Sequence, residues 1–404
     1  MFYGWRIVAG AFTTQMFIVG FFTYSASLLI PHLQREFAVS LEQVMYSMTI
    51  GTFTGLLLSP VAGALVDRAS VRALMVAGSL AFAGGLALMA RTSDITQYVW
   101  CFGLTMTIGN CFGAMIPAAA VVSRWFTVNR GRALGIAAIG TSAGGAVLPG
   151  VMEFWLADGD WRGALDNLAL CVVVIMVPAA FLLIRGRPED VNMLPEPDPH
   201  AGDGVVDAAV GSKAILSSAN FWCMAISLGL VLGAYSAVLS NLAPYVIAAG
   251  FESSAGSTLI MVLAISGLVG KLIFGSAADR LNLKIALWLA EALAIIALLL
   301  FAFAGESFAV MLAAAISMGL ASGGLLPVWG AMLARLFGLA SYGLAMGLMS
   351  PVVTLCIMPT FVLVGRLVDT YGTFLYPLLA FAGATAFAMA ILLPLRLPER
   401  AAAA

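Results

Sequence analysis

The chain has 404 residues, of which 62% are hydrophobic and only 10% are charged, and its net charge is −1. Soluble domains average about 45–50% apolar and about 25% charged residues, so this chain has too little polar surface for a water-soluble globule of its size. The near-zero net charge and the absence of a basic face exclude a nucleic-acid reader. The composition therefore predicts a membrane protein.

Apolar runs of about 20 residues, the length that crosses a bilayer, recur along the whole chain. Twelve are predicted, at 7–30, 43–66, 71–90, 96–124, 131–157, 163–185, 218–248, 255–278, 284–304, 307–335, 341–365 and 372–395. We expect each to be a helix, because only a helix satisfies its backbone polar groups within one segment in hydrocarbon. The first run lacks the cleavage site of a signal peptide, and we expect it to remain as a span.

The longest polar stretch, 186–216, combines prolines with acidic residues. Such a segment buries little apolar area, so we predict a flexible linker there. It separates residues 1–185 from residues 217–404, each with six predicted spans. The sequence thus predicts an all-α polytopic membrane protein with twelve transmembrane helices in two six-helix bundles.

Two short charged segments repeat each other at a constant offset of about half the chain. They share a glycine, an acid and two bases in the same order: Gly63, Asp67, Arg68 and Arg72, then Gly275, Asp279, Arg280 and Lys284. The duplication predicts pseudosymmetric halves, which is the layout of a secondary transporter. A second repeat matches Gly131 and Gly135 with Gly343 and Gly347, and small residues at this spacing predict tight helix packing.

Lysine and arginine are distributed unevenly between the two sides of the predicted spans. With both termini in the cytoplasm, fourteen of the 19 lie on cytoplasmic segments, four on outer segments, and Lys271 inside a span. Cytoplasmic loops carry the excess of positive charge in membrane proteins. We therefore predict a multi-pass protein of the cell (inner or plasma) membrane with both termini in the cytoplasm.

The five cysteines lie within apolar runs, and the two histidines, His32 and His200, lie far apart. An odd number of cysteines inside spans does not suit a disulfide framework or a zinc site. The histidines leave no obvious catalytic dyad or metal set. We therefore expect no cofactor, no metal site and no enzyme activity.

The segment from Gly63 to Arg72 resembles the signature loop of the major facilitator superfamily, and its copy at 275–284 is also usual there. Three shorter phrases resemble the monocarboxylate-porter and oxalate/formate-antiporter branch of that superfamily. These are Tyr3-Gly4-Trp5-Arg6, Arg124-Trp125-Phe126 and Arg187-Pro188-Glu189-Asp190. The resemblance extends over the whole chain and implies twelve spans with inward termini.

The repeated charges lie at predicted helix ends, where an acid can bind a neighbouring helix N-terminus or pair with an arginine. Such contacts would hold an inner gate shut. The candidate gating residues are Asp67, Arg68, Arg72, Arg124, Asp279, Arg280, Lys284 and Arg335. The alternative is that these charges only fix the orientation of the chain. The family resemblance implies a conformational role without substrate contact.

Lys271 interrupts the predicted eighth span, at a depth of about 12 Å from Asp279 at 1.5 Å per residue. Half the hydrocarbon thickness is about 15 Å, so Lys271 is expected near the midplane. A lysine there costs about 2.5–3.5 kcal/mol on insertion scales and is normally offset by a cavity, a partner or a ligand. It is our candidate anchor for a substrate carboxylate. The alternatives are an ion pair with a buried acid and a snorkelling side chain.

The family resemblance implies the same role for Lys271. In that branch a substrate-binding arginine on the eighth helix stands four residues before the repeated glycine, and Lys271 stands four residues before Gly275. An ammonium is a point charge rather than a bidentate fork, which weakens the case for a flat dicarboxylate. The aspartate of animal relatives, one turn earlier, is Gly267 here, so the proton carrier stays unassigned.

Polar side chains in other predicted spans could complete a pocket for the anion. The candidates are Tyr24, Asn110, Tyr235, Asn241 and Trp329. The alternative for each is a hydrogen bond between helices. Glu291 is a further mid-span charge, expected to be a structural partner or a lipid-boundary acid, with a protonation site as the alternative.

The sequence therefore predicts a monomeric transporter that moves a small organic monoanion by alternating access, with proton coupling or exchange. Its expected partners are the anion, protons and membrane lipids, and not nucleic acid. The rival hypothesis is an efflux pump of the same superfamily for apolar or cationic compounds, because the run from Gly140 to Gly150 resembles the glycine-rich fifth helix of drug antiporters. Such a pump would need an accessible acid, rather than a base, at the middle of its cavity.

Overall fold

The computed structural model describes residues 2–191, 193–194, 196, 210–278, 282–338 and 341–395, and these contain no β-strand. Twelve long helices follow one another in them. They are α1 Gly4–Phe37, α2 Leu41–Arg68, α3 Val71–Met89, α4 Ile95–Trp125, α5 Arg130–Leu156, α6 Trp161–Leu183, α7 Ala219–Ser240, α8 Ser253–Ala278, α9 Leu283–Ala302, α10 Phe308–Phe337, α11 Tyr342–Tyr371 and α12 Leu375–Ile391. The first eleven are long and apolar enough to cross a membrane, and α12 is apolar but shorter, with 17 residues. The predicted all-α, multi-pass fold is confirmed.

Helix starts follow local capping signals. Ser40 caps α2 by accepting a hydrogen bond from the Gln43 N–H, while the Gln43 side chain accepts one from the Ser40 N–H. This reciprocal capping box satisfies two backbone donors that the helix leaves open. Ser70, Asp94 and Asp160 cap α3, α4 and α6 with their side chains.

The helix α1 extends to Phe37, beyond the predicted end at residue 30. A proline normally ends a helix because it lacks an N–H and clashes with the preceding turn. Here α1 tightens into a 3₁₀ turn at Ala26–Leu29 and starts a new α-helical segment at Ile30, so Pro31 lies in a first turn. A first-turn N–H has no helical partner in any case, so the proline is tolerated there.

Wide π-helical turns interrupt three of the described spans. They lie at Gly20–Ser25 in α1, Phe102–Met106 in α4 and Val172–Met176 in α6. Such single turns inside α-helices occur frequently at functional sites. The first of them contains Tyr24, one of the predicted pocket residues.

Contacts divide the chain into two compact units. One comprises residues 1–202 and 239–264, and the other comprises residues 203–238 and 265–404. The predicted division into bundles 1–185 and 217–404 stays a prediction.

Glycines allow close backbone approach of helices within each unit. A Cβ atom at Gly140 or Gly144 of α5 would lie 2.4 or 2.2 Å from a backbone oxygen of α1. In the second unit, a Cβ atom at Gly323 of α10 would lie 2.2 Å from the oxygen of Gly267 on α8. Small residues are what membrane helices need at such contacts. These glycines therefore set the α1–α5 and α8–α10 packing.

The repeated glycines predicted to pack tightly are not at these contacts. Within the described residues, nothing beyond their own helix lies within 4 Å of a Cβ atom built at Gly131, Gly135, Gly343 or Gly347. That expectation was wrong for this structure. The close approach on α5 lies at Gly140 and Gly144, about one and a half and two and a half turns beyond Gly135.

We predict that Gly144→Ala lowers the unfolding temperature of the purified protein, because overpacking costs about 1–3 kcal/mol. Gly135→Ala is the matched control on the same helix, where an added methyl meets nothing and alanine favours the helix by about 1 kcal/mol. Thermal unfolding in one detergent compares the two variants. Equal unfolding temperatures for both would contradict the packing described for α1 and α5.

Candidate functional site

The predicted site residues fall in both units. Those in the first unit are Tyr24, Asn110, Asn241, Asp67, Arg68, Arg72 and Arg124, and those in the second are Tyr235, Lys271, Trp329, Lys284 and Arg335. Asp279 and Arg280 lie outside the described residues.

In the first unit, Tyr24 packs where three helices meet. Its ring lies 2.9 Å from the position of a Cβ atom on Gly145 of α5, and Ala264 of α8 lies 2.7 Å from the same position. Tyr24 is only 9% exposed. The glycine therefore leaves the space that the tyrosine ring and α8 occupy.

Two asparagines contribute buried amides to the first unit. The Asn110 Oδ1 on α4 is buried without a hydrogen-bond partner in the described part of the chain. An unsatisfied buried acceptor costs about 1–3 kcal/mol, so a donor reaching Asn110 would gain a bond. Asn241 immediately precedes the short helix Leu242–Ala248. Its Nδ2 donates a hydrogen bond to the Met45 Sδ at 3.5 Å.

In the second unit, Lys271 lies inside α8 and is half-buried. A Cβ atom on Gly323 of α10 would lie 2.7 Å from the Lys271 backbone nitrogen, and Phe274 packs in the same way on Gly324. Lys271 thus lies in a span, as predicted, and its backbone is fixed by the α8–α10 contact.

Glu291 and Trp329 line one narrow gap in the second unit. The Ser227 hydroxyl of α7 donates to Glu291 Oε1 at 2.8 Å. Glu291 is 1% exposed and Trp329 is 6% exposed, and neither Glu291 Oε2 nor Trp329 Nε1 has a hydrogen-bond partner in the described residues. Glu291 therefore lies inside the unit and is not a lipid-boundary acid, which corrects that expectation.

The contact between Asp67 and Arg124 is one form of the acid–arginine pairing expected at the helix ends. The Arg124 guanidinium donates to the backbone oxygen of Val66 at 2.8 Å and lies 3.6 Å from the Asp67 carboxylate. The Asp67 side chain is 82% exposed. An ion pair this exposed contributes at most about 1 kcal/mol, so it can break and re-form easily.

The last bases of the two repeats bind equivalent helices. The Arg72 guanidinium stacks 3.9 Å from the Phe181 ring of α6, a cation–π contact. The Lys284 Nζ donates to the backbone oxygens of Leu393 and Leu395, at 2.7 and 3.2 Å, just after α12. Arg72 thus contacts α6, and Lys284 contacts the residues just after α12, so the two bases bind near equivalent helices of the two halves. The spacing of the repeat alone does not show which helix each base contacts.

Two of the three phrases that resemble the monocarboxylate branch, Tyr3-Gly4-Trp5-Arg6 and Arg124-Trp125-Phe126, pack against each other in the first unit. Trp125 is fully buried, with its ring 5.2 Å from that of Tyr3, and Phe126 lies 5.1 Å from Trp5. The Trp125 indole donates to the backbone oxygen of Arg185 at 3.0 Å. These phrases therefore build a packed aromatic core.

One residue of the predicted flexible linker is held by hydrogen bonds. Glu196 donates its N–H to the Trp125 oxygen at 3.0 Å, and its carboxylate accepts from the Asn129 side chain and from the Asn129 N–H at 2.8 Å. The Thr127 hydroxyl donates to the Glu196 backbone oxygen at 2.6 Å. The hydrogen bond from the Asn129 side chain, and to a lesser extent that from the Asn129 N–H, holds the pKa of Glu196 below its ordinary value. Sequence reasoning missed this contact because the flanking prolines and acids indicate a solvated loop.

A comparison with protein-family models decides the family. The model of the Major Facilitator Superfamily matches residues 12–307, which is more than half of the chain. The chain belongs to the major facilitator superfamily. The chain is therefore a multi-pass membrane protein of a family of transporters rather than enzymes, as the sequence predicts.

Curated relatives are about one quarter identical to the chain over the aligned residues. Monocarboxylate transporter 11 of Homo sapiens is 26% identical over 278 residues, 69% of this chain and 57% of that protein. Monocarboxylate transporter 12 of Mus musculus is 24% identical over 305 residues, 70% and 62% of the two chains. The fujikurins efflux protein of Gibberella fujikuroi is 27% identical over 190 residues, which are 46% of this chain and 40% of that protein. The matched region thus spans less than two thirds of each relative.

Among solved structures, the fold matches other superfamily members over nearly its full length. A bacterial homologue of the human lysosomal transporter Spinster, crystallised inward-facing and unoccupied, superposes with a TM-score of 0.70 at 15% identity and covers 96% of both chains. At this identity the likeness concerns the fold alone.

We predict that acidification releases Glu196 from the turn after α4. Because the folded-state pKa of Glu196 is lowered, its contribution is present above the unfolded pKa and is lost as the pH falls through the folded pKa. The protection factor of the Asn129 amide, the ratio of its intrinsic exchange rate to its measured rate at the same pH, should therefore fall at low pH. In Glu196→Gln this protection factor should be low at all pH values, whereas the exposed-site control Glu189→Gln should match wild type. A wild-type protection factor in Glu196→Gln would contradict the contact.

Proposed function

We propose that this superfamily member is a secondary transporter that carries a small organic monoanion across the cell membrane by alternating access, through proton symport or antiport exchange. The observation that supports it best is the Lys271 ammonium on α8. A base inside a span is expensive and is retained where it binds something. Both termini are assigned to the cytoplasm on the distribution of lysine and arginine.

The cationic anchor selects the substrate class. A carboxylate would gain a charge-assisted hydrogen bond from the ammonium, which is roughly twice as strong as a neutral one. Lys271 provides a single point charge, which suits a monoanion better than a flat dicarboxylate. The similarity to two proteins named monocarboxylate transporters supports the same class.

The remaining pocket residues would complete recognition of the anion. Asn110 offers a buried acceptor for a substrate hydroxyl. Tyr24, Tyr235 and Trp329 would supply aromatic walls, and Asn241 a further amide. We propose these five as substrate contacts.

The exposed charges at the helix ends would act as the inner gate. The contact between Asp67 and Arg124 stabilises one arrangement by no more than about 1 kcal/mol, which suits a bond that breaks in every cycle. By the repeat, Asp279 and Arg280 would act with Arg335 in the second half. Arg68, Arg72 and Lys284 would hold the neighbouring helices in place.

The rival function, efflux of apolar or cationic compounds, is favoured by the similarity to the fujikurins efflux protein. The glycine-rich run of α5 gives it little support, because Gly140 and Gly144 are needed for packing against α1 and Gly145 for Tyr24. The mid-span base also disfavours a cationic substrate. We therefore keep the monoanion as the proposal.

We predict that Lys271→Ala strongly reduces uptake of small monocarboxylates while the protein still folds, because the anion loses the mid-span cation of α8. Losing a charge-assisted hydrogen bond of about 1.5–3 kcal/mol weakens binding by about tenfold to a hundredfold. The measurement is uptake of labelled acetate, lactate, pyruvate and benzoate into proteoliposomes. Lys271→Arg keeps the charge and should retain part of the activity.

The matched control for this experiment is Lys213→Ala, an exposed lysine of the short helix Ser212–Leu216. It should transport like wild type. Uptake by Lys271→Ala at the wild-type rate would sink the anchor hypothesis. If the wild type exported lipophilic cations and took up no carboxylate, the result would favour the efflux function instead.

We predict that Asp67→Asn slows transport but changes the unfolding free energy by less than about 1 kcal/mol, because its ion pair is exposed. The control is Asp166→Asn, which removes the exposed ion pair with Arg91, at 2.9 Å, and should leave transport unchanged. Transport rate and denaturant unfolding are measured on both variants. Equal rates in the two would contradict the gating role of Asp67.

A further inference from the structure

Two buried polar atoms in the gap between Glu291 and Trp329 have no hydrogen-bond partner among the residues that the structure describes. Its other walls are Met224, Leu228, Leu287 and Leu325, which are apolar, together with Ser227. The gap is too narrow to hold a water molecule. A water therefore cannot satisfy Glu291 Oε2 or Trp329 Nε1 in this arrangement.

The ionisation state of Glu291 follows from these surroundings. A buried carboxylate costs several kcal/mol unless a cation or several donors offset it. Ser227 supplies one donor to Oε1, and no ion pair of the described residues includes Glu291. A neutral carboxylic acid, with its proton on Oε2, is the state that this geometry accommodates.

Few titratable groups surround Glu291 in the described residues. The helices packed around it carry Cys223 and Tyr235 on α7, Arg335 on α10, Tyr376 on α12 and, at the start of α9 itself, Lys284. Lys284 binds backbone oxygens near residue 394, and Arg335 lies in the last turn of α10. Lys271 lies on α8, across the α8–α10 contact.

We propose that Glu291, Ser227 and Trp329 form a proton-binding site, and that Glu291 is the residue that binds and releases one proton in each cycle. This proposal rests on the proposed transport function and names its coupling ion. In the release step the O–H bond at Oε2 breaks, its electron pair stays on the carboxylate, and the proton passes to water on the side to which the site opens.

Trp329 has a defined part in that step. An indole N–H is a donor only, so it can bond an acceptor and nothing else. The deprotonated carboxylate of Glu291 would be such an acceptor, receiving one bond from Ser227 and one from Trp329. Two donors stabilise the anion that the site must pass through. The indole N–H, which has no acceptor in the described part of the chain, is therefore the donor that would bond Glu291 in the proton-free state.

Helix α10 connects this site with the proposed anion anchor. Its Gly323 and Gly324 contact α8 at Lys271 and Phe274, and Trp329 follows little more than one turn later. Pro327 lies between the two contacts and removes one hydrogen bond from the helix. A shift of α10 on anion binding at Lys271 would therefore move the Trp329 indole relative to Glu291.

The test in proteoliposomes uses Glu291→Gln, which fixes the side chain in a neutral form. Wild-type uptake should rise with an inward proton gradient. It is measured with whichever of acetate, lactate, pyruvate and benzoate the wild type transports best. In Glu291→Gln this stimulation should be lost, while exchange of labelled for unlabelled substrate persists. Glu291→Asp, which still titrates, should restore a shifted pH profile, and the exposed-site control Glu306→Gln should behave as wild type. Unchanged stimulation in Glu291→Gln overturns the proposal.

Infrared difference spectroscopy tests the proton directly and does not need transport. The wild-type minus Glu291→Gln spectrum at neutral pH should show the C=O band of a protonated carboxyl group, and its absence would overturn the proposal. Glu291→Gln should also keep the wild-type unfolding temperature, since an amide matches a neutral acid, and a variant that unfolds would contradict the proposal. Wild-type liposomes that carry none of the four acids would reject the proposed function, while the infrared band still decides the proton site.

Discussion

The constraint that shapes this molecule is that polar atoms inside a membrane span need partners, since hydrocarbon provides none. Most side-chain hydroxyls of the spans meet it locally, as when Thr13 and Ser79 donate to the backbone oxygen one turn earlier. Among the described residues, Asn110 Oδ1, Glu291 Oε2 and Trp329 Nε1 are buried polar atoms that have no hydrogen-bond partner. Unsatisfied groups are costly, so they are the places where a ligand or a proton gains most.

The same constraint explains the distribution of glycine. Backbones that approach closely at Gly144 and Gly323 fix α5 on α1 and α10 on α8 without any polar contact. This rigid packing positions Tyr24 in one unit and the Lys271 backbone in the other. Charges, by contrast, bind at the helix ends, where Asp67 and Lys284 have weak or backbone partners that water can replace.

Hydropathy predicted the twelve helices, because the length of each span is set by the bilayer and the apolar content is unambiguous. The end of α1 was missed because the 3₁₀ turn before Pro31 has no sequence signature of its own. For the acids of the charged repeat the sequence allowed either a helix N-terminus or an arginine as partner, and Asp67 pairs with Arg124. The burial of Glu291 could not be predicted, since its burial depends on Ser227 and Trp329 from distant helices. The Glu196 contact was hidden by a composition typical of solvated loops.

The central claim is that a single ammonium inside α8 binds the carboxylate of a monoanion. Equilibrium dialysis of labelled monocarboxylates against the purified protein in detergent measures this without any gradient or gate. The account predicts saturable binding of one anion per chain, competed by other monocarboxylates and not by lipophilic cations, and lost in Lys271→Ala. Saturable binding of the same affinity in Lys271→Ala would contradict it.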